Sequence, residues 1–183
     1  MMQNVFSAAY TWHNYGNSTI GSKEDIERVK APTLRKFYEK FYQPDNAILT
    51  IGGKFDEKNA LQYIAEYFSI IPKPTRELGG TYTVEPAQNG EKYFEIKRND
   101  DQQIVAAGYH TAAYADKDYA ALNALYEILT DNPSGYLYKS LVETKKVASI
   151  WTFSPTVRDP GMVYFNFDVP KDKNLDEATN SVK

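Results

Sequence analysis

The sequence contains no cysteine and only 2 histidines, His13 and His110. The first absence excludes disulfides and every thiolate metal site, though it leaves the redox compartment open. The second leaves little from which to build a catalytic metal centre, which takes about three His, Cys or carboxylate ligands at workable spacing. Neither histidine has a partner histidine four residues away. Positive charge is not in excess: 21 Lys and Arg stand against 24 Asp and Glu, and no basic stripe suited to nucleic acid runs through the chain. No apolar run approaches the ~20 residues that span a bilayer. Gly52-Gly53 is followed by no Gly-x-x-x-x-Gly-Lys-Ser/Thr phosphate loop. No signal-like leader opens the sequence, which excludes nothing for a piece of a longer protein.

What is present is aromatic and patterned. The chain has 183 residues, 42% of them hydrophobic, enough for one core. Its 15 Tyr and 9 Phe therefore read as core and surface residues rather than as a binding stripe. Leu34, Phe37, Tyr38 and Phe41 fall at i, i+3, i+4 and i+7, the stripe of an amphipathic helix. Pro32 suits its first turn and Pro44 its end. Asn46 to Ile51 predicts a short buried strand closed by Gly52-Gly53, and Asp56 caps a second helix with the stripe Leu61, Ile64, Ala65 and Phe68. Gln3 to Tyr10 reads as the end of a helix, and Tyr15 to Ser22 as loop. The Pro-, Gly- and Thr-rich stretch 72–90 reads as a crossover linker. Strands are predicted over Tyr93 to Lys97, Gln103 to Tyr109, Ser149 to Phe153 and from Val163 to Val169. In the last, Val163, Phe165, Phe167 and Val169 alternate with Tyr164, Asn166 and Asp168. Asp116 is the expected cap of a helix striped by Leu122, Leu125, Tyr126 and Leu129. Ser134 is the expected cap of another from Gly135 to about Lys145, and a last helix runs from Asn174 to Lys183. The pattern predicts an α+β fold: an antiparallel-rich sheet with helices packed on one face and a wetter opposite face.

Four stretches also carry a resemblance. They are His13-Asn14-Tyr15-Gly16 with Ile20-Gly21-Ser22 and Glu24-Asp25-Ile26; Leu34 through Pro44, Asn46-Ala47, Gly53, Phe55 and Asp56; Asp116 to Leu129; and Ser134 to Glu143. In order and spacing they resemble the M16 metallopeptidases, the insulinase, pitrilysin and mitochondrial processing peptidase family. The resemblance covers nearly the whole chain. It implies the M16/LuxS-like metallohydrolase fold and a parent zinc metalloendopeptidase acting on peptides or unfolded polypeptides. There, zinc polarises the scissile carbonyl and activates water. The family's His-x-x-Glu-His motif is not in this chain. Residues 1–183 are therefore expected to be a single M16-type domain, the second of a zinc-bearing half, excised from a longer protease. Such a domain binds no zinc, cleaves nothing alone, buttresses the zinc domain and walls the peptide chamber. The alternative is a peptide-binding or scaffold subunit of the same fold with a degenerate zinc site. The partners implied are the peptide and the other M16 domains or a partner subunit. The compartment stays open, with a bacterial periplasm or cell envelope the favoured setting.

Individual residues follow from both readings. No residue is assigned a catalytic or metal role. His13 is either a ligand or base, or a loop histidine that hydrogen-bonds backbone and fixes the turn; with no second ligand in reach, the loop role is preferred. His110, at a strand end, is the candidate substrate contact. Asp100-Asp101 and Glu24-Asp25 resemble paired carboxylates, but loop and helix-start positions favour solvent or the helix dipole. Lys139, Lys145 and Lys146 complement a helix C-terminus. The family's substrate-clamping Arg and Tyr correspond to Val142 and Ser149, so that pair is absent.

Overall fold

The computed structural model describes residues 1–80, 83–99 and 101–182. Its chain divides into two compact units: Met1–Thr19 with Thr83–Lys183, and Ile20–Tyr82. The larger unit is organised around strand β3, Gly161–Val169, which lies between β1, Gln103–Thr111, and β2, Ser149–Phe153, in an antiparallel sheet of order β1-β3-β2. Phe165 pairs across to Ala107 on one side and Thr152 on the other.

Successive residues of a strand point to opposite faces, and β3 uses both. Val163, Phe165, Phe167 and Val169 form one core with Tyr126, Leu141, Val147 and Ala178. These come from α5, Tyr119–Thr130, from a π-helical turn, Tyr138–Val142, and its exit, and from α6, Leu175–Val182. The α+β architecture and the inward face of β3 are as the alternation predicts. The other face is drier than it predicts. Met162 and Tyr164 form a second core with Val5 and Tyr10, brought by α1, Met2–Ala9. Gly108 permits this approach: a Cβ there would lie 2.9 Å from both the Met162 Sδ and Val5 Cγ1 atoms. The polar groups on this face are satisfied in series. Tyr164 donates to Asn166 (2.8 Å), Asn166 donates to Asp168 (2.9 Å), and Ser149 donates to the other Asp168 oxygen. Burial, with the Asp168 charge adding to it, pushes the Tyr164 hydroxyl up to about 12, so it remains a donor.

Several predicted details need correction. The helix expected from Gly135 to Lys145 is the wider π turn, with Lys146 N–H reaching back to Leu141 C=O at 2.9 Å and Lys145 left-handed (φ 59). This geometry buries Leu141 and Val147 together, and their packing outweighs α-helical spacing. Ser134 bonds the Asp131 carboxylate rather than capping the next turn. Asp116 accepts from Asp118 N–H (2.9 Å), a turn preceding α5 rather than its cap. Leu125, placed on the buried stripe, is exposed. Tyr93 to Lys97 runs outside the sheet.

The smaller unit holds α2, Lys23–Arg28, α3, Ala31–Phe41, and α4, Glu57–Phe68. Local signals set their ends: Ser22 accepts from Asp25 N–H and Asp56 from Asn59 N–H, while Pro32 lies in the first turn of α3. Arg76 grips Asp45 through two parallel bonds of 2.7 and 2.9 Å and holds that carboxyl below its ordinary value. The predicted strand at Asn46–Ile51 is not formed, and Ile48 is 94% exposed. A strand needs a neighbour for its N–H and C=O groups, and no second strand exists among the described residues of this unit. The stripes of α3 and α4 likewise stay largely exposed, with Phe37–Phe41 and Tyr38–Tyr42 ring pairs along α3 at 4.7 and 4.9 Å.

Phe165→Ala is expected to cost about 3–5 kcal/mol, as truncation of a large core side chain does, whereas Ile48→Ala should change stability by less than about 0.5 kcal/mol. Urea unfolding of both variants checks the contrast; equal losses would contradict the described burial.

Candidate functional site

The polar chemistry of the larger unit gathers where α1 ends. His13 is buried and opens the 3-10 turn Asn14–Gly16 by accepting from Tyr15 N–H at its Nδ1 (3.2 Å). An accepting Nδ1 places the neutral ring's proton on Nε2. That nitrogen lies 3.4 Å from Asp159 Oδ2 but makes no well-aligned hydrogen bond. The contact is thus loose and becomes an ion pair only when His13 is protonated. Around it, Asp159 N–H donates to the Tyr15 hydroxyl (3.2 Å) and Tyr10 donates to Pro160 C=O (3.4 Å). Burial, then the neighbouring Tyr15 and Glu85, push the Tyr10 hydroxyl up, which keeps it a donor. The His13 corner thereby fastens the end of α1 to the turn leading into β3.

A second fastening comes from the segment after the smaller unit. The Glu85 carboxylate accepts from the N–H groups of Thr11 (2.6 Å), Trp12 (2.9 Å) and His13 (2.8 Å). Partial burial alone would raise the Glu85 carboxyl. The three N–H groups, with His110 nearby, outweigh it and bring the group from 4.5 down to about 2. Lys92 reaches Ala8 C=O (2.8 Å) and the Thr11 hydroxyl (3.3 Å), covering carbonyls at the α1 C-terminus where a cation is favoured. Neither Glu85 nor Lys92 stands out in sequence. Their partners lie 72 to 84 positions away, and the only local sign is the absence of helix or strand patterning around Glu85.

The remaining candidates are not brought together. His110 is exposed at the end of β1; its Nε2 faces Ala9 C=O at 3.3 Å and its ring meets Tyr10 edge-on at 5.0 Å. Asp25 is engaged with Ser22 at the start of α2, and Asp101 pairs with Lys171. Asp100 lies outside the described residues. Val142 packs against the core and Ser149 bonds Asp168. Among the described residues, no three His, Cys, Asp or Glu side chains come together as a metal ion requires. The described residues therefore do not fit a zinc ion: His13 spends one nitrogen on backbone, and His110, though near the Glu85 carboxylate, belongs to no group of three possible ligands.

Residues 28–183 match the family model described as the peptidase M16 inactive domain. The zinc protease PqqE of Helicobacter pylori is 30% identical over 146 residues, covering 79% of this chain and 33% of that protein. The chain spans about a third of the length of such relatives. A crystal structure of a protease from Helicobacter pylori superposes with TM-score 0.87 at 25% identity, over 98% of this chain and 44% of that one. The first half of the periplasmic protease PqqL from Escherichia coli has TM-score 0.65 at 22% identity, over 98% of this chain and 39% of that one, which shows a shared fold.

Glu85→Gln should destabilise the chain by about 1–3 kcal/mol, the range for leaving a donor unsatisfied, because its NH2 would face a backbone N–H. A carboxyl lowered on folding contributes stability that is full above its unfolded value and is lost as pH falls. The wild-type chain should therefore lose more stability than Glu85→Gln between pH 4.5 and about 2. Urea midpoints against pH check this; parallel curves would contradict it.

Proposed function

The chain belongs to the M16 peptidases as an inactive peptidase domain, and from that premise we propose that it buttresses the zinc domain of a longer metalloendopeptidase and walls its peptide chamber. The observation that carries this reading is the use made of the polar residues. His13, Glu85, Lys92, Tyr10 and Tyr15 are spent holding one helix on a sheet. A group already committed to backbone is poorly placed to transfer protons to a substrate. The chain is a piece of the longer protease in this reading, a single M16-type domain of it, and the parent's zinc is held outside these residues.

The parent then hydrolyses peptide bonds in peptides or unfolded polypeptides, and its other M16 domains or a partner subunit are this domain's neighbours. His110, exposed at a strand end, is the one side chain proposed to meet substrate directly. A periplasmic or envelope setting belongs to the same proposal, supported by the periplasmic relative of like fold. No helix among the described residues is long and apolar enough to cross a membrane.

The test is cleavage of an unstructured quenched peptide by this chain and by its parent, with zinc measured in each after dialysis. This chain should hold no stoichiometric zinc and cleave nothing. In the parent, His13→Ala should leave most activity in place, since it perturbs a turn. About one zinc per chain, chelator-sensitive cleavage by the chain, or a loss of parent kcat beyond ~100-fold in a folded His13→Ala variant, the scale of an acid/base group, would overturn the reading.

A further inference from the structure

Glu85 and Lys92, the two side chains that fasten the end of α1, are joined by a short bridge running from Pro86 to Glu91. Within it lies Asn89-Gly90, the one Asn-Gly pair of the sequence. Both residues are exposed and belong to no helix or strand. Gly90 has φ +154, and a Cβ there would meet nothing within 4 Å. Gln88 Nε2 donates to the Gly90 C=O at 2.6 Å. Among the described residues, neither the Asn89 carboxamide nor the Gly90 N–H has a hydrogen-bond partner. Other asparagines are placed differently. The Asn46 carboxamide donates to Phe41 C=O (2.9 Å), that of Asn174 accepts from Asp176 N–H (2.8 Å), and Asn166 is buried. The N–H after Asn14 is spent on His13 (3.2 Å), and Pro133, after Asn132, has none.

We propose that Asn89-Gly90 is a site of spontaneous deamidation, a covalent mark of age in the segment that fastens α1. Hydroxide takes the Gly90 N–H proton, and that nitrogen attacks Asn89 Cγ. The new C–N bond forms as the Cγ–NH2 bond breaks, so ammonia leaves a cyclic succinimide. Water then adds to one of the two ring carbonyls and opens the ring. The product is aspartate, or isoaspartate, in which the main chain runs through the former side chain. Water is the only co-reactant. Glycine matters because it has no Cβ to obstruct its nitrogen as the ring closes. The exposed position admits water, and the free N–H and carboxamide surrender no bond on reacting. Asparagine is among the thermolabile residues, and exposed loop tips are where a chain tolerates change. Each event adds one negative charge, and isoaspartate also adds one carbon to the main chain between Glu85 and Lys92. Neither anchor belongs to the reacting pair, and space around Gly90 is open. The bridge therefore absorbs the change while Glu85 keeps its three backbone donors. No premise about the parent's activity enters.

The experiment ages the folded 183-residue chain at neutral and mildly alkaline pH beside a synthetic peptide spanning Glu85 to Lys92. Peptide mapping by mass spectrometry reads the gain that accompanies exchange of NH2 for OH at each asparagine. Digestion in heavy-oxygen water separates ageing from change during handling. Isoaspartate is read by enzymatic methyl transfer from S-adenosylmethionine. Asn89 should convert before every other asparagine, faster at the higher pH, and with isoaspartate among the products. Its rate in the folded chain should lie within about tenfold of the peptide's, because opening a segment without regular hydrogen bonding costs little. Asn89→Gln should remove the isoaspartate signal, and Gly90→Ala should slow its appearance. In the aged chain the Thr11, Trp12 and His13 amides should keep their protection from hydrogen exchange. Conversion of another asparagine first would overturn the proposal, as would an Asn89 rate more than about tenfold below the peptide's, which would mean that the fold shields the pair. An unchanged rate in Gly90→Ala, or aged chains that lose protection at those three amides, would equally count against it.

Discussion

Burial of β3 on both faces is the constraint on which the larger unit depends. A three-stranded sheet has one interior strand, and here that strand supplies Phe167 and Val163 to one core and Met162 and Tyr164 to the other. Each face must then be closed by separate chain segments. The α5, π-turn and α6 segments follow β1 or β3 closely in sequence, but α1 comes from the far end of the chain. Its eight residues bring few large apolar side chains. The polar fastenings at its C-terminus supply what its apolar area does not, which explains why so many directional bonds converge on Tyr10 to Tyr15.

Those fastenings differ in kind. The Glu85 carboxylate meets three successive donors, so its charge is met by oriented backbone dipoles and remains partly solvated. Exchange of water for such donors is favourable where a fully buried ion pair would be costly. His13 and Asp159 stand at a longer, poorly aligned distance. Most polar groups of this cluster are engaged with backbone.

Local signals were readable from the residues themselves. Pro32, Ser22 and Asp56 mark helix starts through their own backbone chemistry, and the two-residue period of Val163 to Val169 assigns each side chain to a face. What lay hidden depended on distant partners. The Tyr164 face looked wet because nothing near it in sequence predicts α1 above it. Glu85 looked like one acid in a Pro- and Gly-rich linker. Asn46 to Ile51 has the composition of a buried strand, but composition does not supply a neighbouring strand. The M16 resemblance rested on ordered segments such as His13 to Gly16 and Leu34 to Asp56. It identified the family.

The attachment of α1 has a temporal side. Tyr10 and its acceptor at Pro160 are 150 positions apart. Chains emerge from the ribosome at about 5–20 residues per second. The apolar side of α1 is therefore made roughly 8 to 30 seconds before the strand that covers it exists. Closing so long a loop costs only slightly more entropy than closing a short one, so the final docking is thermodynamically easy. The hazard is the wait: Val5, Phe6 and Tyr10 stay open to other apolar surfaces until the strand that covers them is made.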